Sequence, residues 1–114
     1  MAKELAIRVF MNSNMEAVLN FKTACSLKLF DQNLEIHVRN SGSEPVVIHS
    51  HIDLEGEQGI VARIDNLFPT GDQRIVPGEI KAFYGQLDDR VWAASRRLIF
   101  YDTDGTPYSE PTGS

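Results

Sequence analysis

Apolar and polar residues alternate most cleanly over Leu34-Glu35-Ile36-His37-Val38-Arg39, with the apolar set at 34, 36 and 38. A period of two turns one face of a strand to a core and the other to water. The preceding run, Ala24-Cys25-Ser26-Leu27-Lys28-Leu29-Phe30, alternates less regularly, and Asp31-Gln32-Asn33 supplies small polar residues suited to a tight turn. Together the two runs predict a hairpin. Residues 40–45 form a breaker cluster, after which a third strand is predicted from about 46 to 54. Its alternation sends Val46, Ile48, Ser50, Ile52 and Leu54 inward and Val47, His49, His51 and Asp53 outward.

The pattern continues in short segments. Residues 55–59 make a turn and 60–64 a short strand, and in the loop over 66–72 Pro69 argues against a central strand. Gln73-Arg74-Ile75-Val76 leads into Pro77-Gly78-Glu79, a turn in which proline presets one dihedral and glycine accepts a positive one. Strands are predicted over 80–85 and 97–101, separated by a short helical or irregular crossing at 88–94. Asp102-Thr103-Asp104-Gly105 closes the last strand, and 106–114 reads as a flexible tail. Near the amino terminus, Leu5 to Phe10 fits an edge strand. Ser13-Asn14-Met15-Glu16 matches a capping box and predicts one or two helical turns within 13–20. About seven short strands with no long helix to make parallel crossovers predict an all-β fold, an antiparallel β-sandwich. Residues 1–114 form one domain, with 1–22 holding the N-terminal strand and short helix.

Composition narrows the function classes. Among 114 residues, 11 Lys and Arg stand against 16 Asp and Glu, a net charge of −5. The one adjacent basic pair is Arg96-Arg97, so nucleic acid is not an expected partner. No apolar run approaches the ~20 residues a membrane-spanning helix requires, so no membrane insertion is expected. No signal-peptide-like stretch opens the chain, which makes the cytoplasm the default compartment unless the sequence was cut from a longer one. Cys25 is the single cysteine and reads as a small buried hydrophobe. A chain of this size needs no cofactor to fold.

The run Leu34 to Val46, with Asn40-Ser41-Gly42 and Pro45-Val46, followed later by Ile75-Val76-Pro77-Gly78-Glu79, resembles the punctuation of bacterial immunoglobulin-like and fibronectin-III-like sandwich domains. The resemblance covers about the middle half of the chain and implies a seven-strand immunoglobulin-like sandwich. Such domains act mostly as non-catalytic adhesion, spacer or protein-binding modules. The chain lacks the paired cysteines of antibody domains, and Trp92 sits late in it.

Three sets of side chains carry candidate chemistry. His49 and His51 share a strand face, and His37 lies on the solvent face of the preceding strand; brought together, the three imidazoles would form a zinc or copper ligand set. Asp102-Thr103-Asp104-Gly105 resembles the start of a calcium loop, but Gly113 stands where the twelfth-position glutamate belongs. Asp53, Glu55, Glu57, Asp88 and Asp89 lack an accompanying base or nucleophile motif and read as solvated acidic loops. In Phe83-Tyr84 and Phe100-Tyr101 adjacent aromatics must point to opposite faces. Tyr84, Trp92 and Tyr101 are therefore candidates for a recognition surface. The expectation is a protein that is not an enzyme and binds a protein partner or itself through a sheet edge or an aromatic-rich face. Metal binding by His37, His49 and His51 is the alternative.

Overall fold

The structure, a computed structural model, describes residues 3–11, 33–65 and 67–112. The helix predicted within 13–20, the strand over 24–30 and Cys25 lie outside these residues. The described residues form nine strands and one short helix: β1 (Leu5–Met11), β2 (Leu34–Asn40), β3 (Val46–Ile48), β4 (Ile52–Gly56), β5 (Gly59–Ile64), β6 (Gln73–Ile75), β7 (Ile80–Gly85), α1 (Asp89–Ala94), β8 (Arg97–Tyr101) and β9 (Pro107–Pro111). Every pairing between them is antiparallel, in sheets ordered β1-β2-β7, β3-β6 and β5-β4-β8-β9. The fold is all-β, as the alternation predicts.

The strand expected over 46–54 is two strands, because the chain changes partners in its middle. β3 pairs with β6, whereas β4 pairs with β5 and β8. The alternation survives the break, and Ser50 is buried with Ile48 and Ile52. Its hydroxyl faces the carbonyl oxygens of Pro69 and Gly71, and its own carbonyl accepts from the Leu67 N–H at 3.1 Å. A polar side chain buried in a strand switch thus fastens the 67–71 loop.

Residues 107–111, expected to belong to a frayed tail, form β9 instead. Two anchors explain the difference. The Tyr108 hydroxyl donates to Asp102 Oδ2 at 2.9 Å, and the Thr112 N–H donates to the Arg96 carbonyl at 2.9 Å. Asp102 Oδ1 also accepts from the N–H groups of Asp104 and Thr106 at 2.9 Å each, which closes the turn between β8 and β9.

The two motifs that carry the family resemblance meet in space. Asn40 is buried, and its amide donates to the carbonyls of Glu44 at 2.7 Å and Ile75 at 2.8 Å while its oxygen accepts from the Gly42 N–H at 2.9 Å. Its backbone carbonyl accepts from the Gly78 N–H, and Glu79 N–H closes the Pro-Gly turn onto Val76 at 2.9 Å. Gly78 has φ of 86°, a left-handed value that glycine adopts without a steric penalty. A buried amide with its capacity met is a structural corner.

The core gathers Ile7, Leu34, Ile36, Val38 and Phe83 from one sheet with Ile52, Leu54, Ile64, Leu98 and Phe100 from another. Phe83 and Phe100 are both fully buried, with ring centroids 5.3 Å apart and planes tilted by 52°. Each such side chain contributes roughly 1.5–3 kcal/mol by leaving water. No helix among the described residues is long and apolar enough to cross a membrane.

Candidate functional site

The solvent-facing side of the β1-β2-β7 sheet is set by register. Ala6, Arg39 and Ile80 align across the three strands, then Arg8, His37 and Ala82, then Phe10, Glu35 and Tyr84. The last row extends to Phe68, whose N–H and carbonyl pair with Tyr84 at 2.9 and 2.8 Å. Strand alternation puts Ile7, Val38, Ile36 and Phe83 into the core, so it must turn these rows outward. Three large apolar side chains on this face are open to solvent: Phe10 at 46%, Phe68 at 53% and Ile80 at 60% exposure.

Polar groups on the face are unevenly partnered. His37 Nε2 donates to Glu35 Oε2 at 2.6 Å, and its ring stands 5.1 Å from that of Phe10. That contact occupies the only carboxylate in the three rows. Arg8 and Arg39 lie diagonally across the β1-β2 ladder, a separation that long side chains span. Neither makes an ion pair among the described residues. With Ala6, His37 and Ile80 they line a shallow depression.

On the four-stranded sheet a second polar cluster forms around Asp53. Arg63 donates to it through Nε at 2.6 Å and Nη2 at 3.2 Å, and the Tyr101 hydroxyl donates at 2.8 Å. Asp53, read as a solvated carboxylate, is only 7% exposed, because Arg63 from β5 and Tyr101 from β8 close over it from both flanking strands. The Arg63 hydrogen bond holds the Asp53 carboxyl below its ordinary range against the opposing effect of burial, with Tyr101 assisting. The hydrogen bond to Asp53, then burial, raises the Tyr101 phenol. Burial first, and then the charges of Arg63 and His49, lower His51. Asp53 thus accepts three hydrogen bonds, one on Oδ1 and two on Oδ2, as expected of a buried carboxylate held by its neighbours.

The three histidines do not form one ligand set. His49 and His51 stack with centroids 5.2 Å apart and planes at 9°, and His49 Nδ1 lies 2.8 Å from Asp72 Oδ1. His37 stands on β2, whereas His49 and His51 lie in the segment between β3 and β4. Among the described residues no three His, Cys, Asp or Glu side chains gather as a metal site requires. The strand carrying His37 pairs with β1 and β7 rather than with the segment carrying His49 and His51, so strand pairing does not bring the three imidazoles together.

The aromatic candidates are likewise dispersed. Tyr84 lies on the three-stranded sheet, Tyr101 on the four-stranded sheet, and Trp92 on α1, half-buried against the core. Tyr84 alone joins the exposed face, and its companions there are Phe10, Phe68 and Ile80. Sequence reasoning missed those three because their adjacency depends on the register of distant segments. The local signals were the outward parity of Phe10 within β1 and that of Ile80, shared with Tyr84, within β7. No family model matches the chain, and no curated protein matches it in sequence.

Proposed function

We propose that the chain is a non-catalytic protein-binding domain that engages its partner through the solvent-facing side of the β1-β2-β7 sheet. The observation that carries this reading is the row Phe10-Glu35-Tyr84-Phe68, with Ile80 two rows away on the same side of the sheet, which presents exposed apolar and aromatic surface on one face. Such surface loses free energy in water and marks contact sites, and aromatic side chains dominate the energetics of interfaces.

We further propose an immunoglobulin-like sandwich as the frame. The sheet orders β1-β2-β7 and β5-β4-β8-β9, together with the Phe83-Phe100 contact between members of those two sheets, support it. Binding by edge pairing is less favoured. The β4-β5 ladder is bulged at Leu54/Glu55, and β9 begins and ends with proline, two devices that blunt edge strands.

The test replaces exposed side chains, which leaves the core intact. F10S combined with I80S is expected to abolish retention of a binding partner from an extract of the source organism, with the circular dichroism spectrum unchanged. I60S combined with V61S removes equally exposed apolar surface on β5 and is expected to leave retention intact. Equal retention by all three proteins removes this face from consideration.

A further inference from the structure

The rows that present apolar surface also present charge, and in an unusual balance. The chain carries −5 overall, yet this face holds two guanidiniums, and Glu35, its only carboxylate in the three rows, is engaged by His37. Arg8 and Arg39 sit on one diagonal of a square whose other corners are Ala6 and His37, and these four residues with Ile80 line a shallow depression. Two like charges held within reach repel each other unless an anion lies between them. A guanidinium presents a planar fork of N–H donors that matches a carboxylate in two parallel hydrogen bonds.

We infer that the face recognises an acidic, extended protein segment, with a partner carboxylate seated between Arg8 and Arg39 and its apolar neighbours covering Ile80 and Phe10. This rests on the reading of the face as a protein-binding surface and adds the chemistry of the partner. Charge complementarity selects the occupant. A segment with a carboxylate satisfies the two arginines, and apolar side chains at its alternate positions bury the large residues at opposite corners of the grid. Glu35 lies in the row farthest from Arg39, so it repels an anion placed at the Phe10 end and fixes the partner carboxylate to the Ala6 end. A basic or neutral segment leaves both arginines desolvated and unpaired, which is costly.

The probe is a capped hexapeptide alternating glutamate and leucine, titrated into the full chain and followed by two-dimensional NMR, including the arginine side-chain resonances. Saturable shifts at Arg8, Arg39, His37 and Ile80 are expected, with affinity falling as salt rises. R8A combined with R39A is expected to weaken binding at least tenfold, whereas R74A, on β6, leaves it unchanged. F10S combined with I80S tests the underlying reading separately. If that variant loses binding while R8A with R39A retains it, the face binds protein but the acidic assignment is wrong. If neither pair changes the titration, or no saturable shift occurs, both readings fall. Inorganic phosphate is the competing ligand: shifts on the same residues at equal or lower concentration than the peptide requires would make this a free-anion site and overturn the peptide proposal.

Discussion

At the scale of single residues, the buried carboxylates and their phenol partners set how the protein responds to pH. Burial disfavours the charge on Asp102, yet the N–H groups of Thr106 and Asp104 and the Tyr108 hydroxyl outweigh it and hold its pKa below the ordinary value. Asp53 is lowered by Arg63 and Tyr101. Both carboxylates are therefore more acidic folded than unfolded, and the stability they contribute is present above the unfolded value and lost as pH falls through the folded one. His51 acts in the same direction, since its lowered pKa makes the unfolded chain take up the proton first. On the alkaline side, burial and the hydrogen bond to Asp102 push Tyr108 up to about 12, and Tyr101 is raised as well. An unfolded tyrosine ionises near pH 10, so that contribution is full below about pH 10 and lost as pH climbs toward the folded value. The melting temperature is expected to hold a plateau between roughly pH 7 and 10 and to fall on both sides. Y108F is expected to cost about 1–3 kcal/mol at neutral pH by leaving Asp102 short of a donor, and to flatten the alkaline limb. An alkaline limb identical to that of the wild type would show that Tyr108 is not the group responsible.

Among the elements, those whose signal is local were legible and those that depend on a distant partner were not. β2 declares itself through strict alternation from Leu34 to Arg39, and the turn before β7 through Pro77-Gly78. β9 is hidden because Pro107 and Pro111 depress strand propensity, while what orders it is a phenol reaching back to Asp102. The break between β3 and β4 has no local cause either, since it follows from pairing with β6 on one side and with β5 and β8 on the other. The candidate face illustrates both cases. Outward parity singled out Tyr84 beside buried Phe83, but the adjacency of Phe10, Glu35, Tyr84 and Phe68 arises from three pairings across long sequence separations. Packing of α1 is similarly non-local and hinges on a glycine. A Cβ at Gly56, the last residue of β4, would stand 2.7 Å from the Ala94 carbonyl oxygen and 3.1 Å from Val61 Cγ1. Because the nearer atom is backbone, it cannot rotate aside. G56A is expected to displace the end of α1 and to cost on the order of 1–3 kcal/mol in denaturant unfolding. An unchanged midpoint would mean that the helix end is not held against the hairpin.

For the molecule as a whole, the question is whether the sheets act as one body. β7 belongs to the sheet that presents the proposed binding face, and β8 belongs to the four-stranded sheet. Phe83 and Phe100 are the largest fully buried side chains on those two strands, and their contact is the most direct measure of how firmly one sheet is seated on the other. A face rigid enough to hold Arg8 and Arg39 in fixed register needs that backing, since a three-stranded sheet without a packed inner side is marginal on its own. A double-mutant cycle isolates the contact from the burial of either ring. F83L and F100L keep each site apolar and largely filled, so both single variants are expected to fold. Tilted aromatic pairs contribute about 0.5–1.5 kcal/mol beyond their buried area. The double variant is therefore expected to be less destabilised than the sum of the singles by that amount. Unfolding should remain a single transition, with amide protons of β2 and β8 exchanging at the same free energy, because one shared core opens as a unit. Strict additivity of the two substitutions, with β2 and β8 exchanging at separate free energies, would mean that the two sheets unfold independently. The proposed sandwich would then be abandoned.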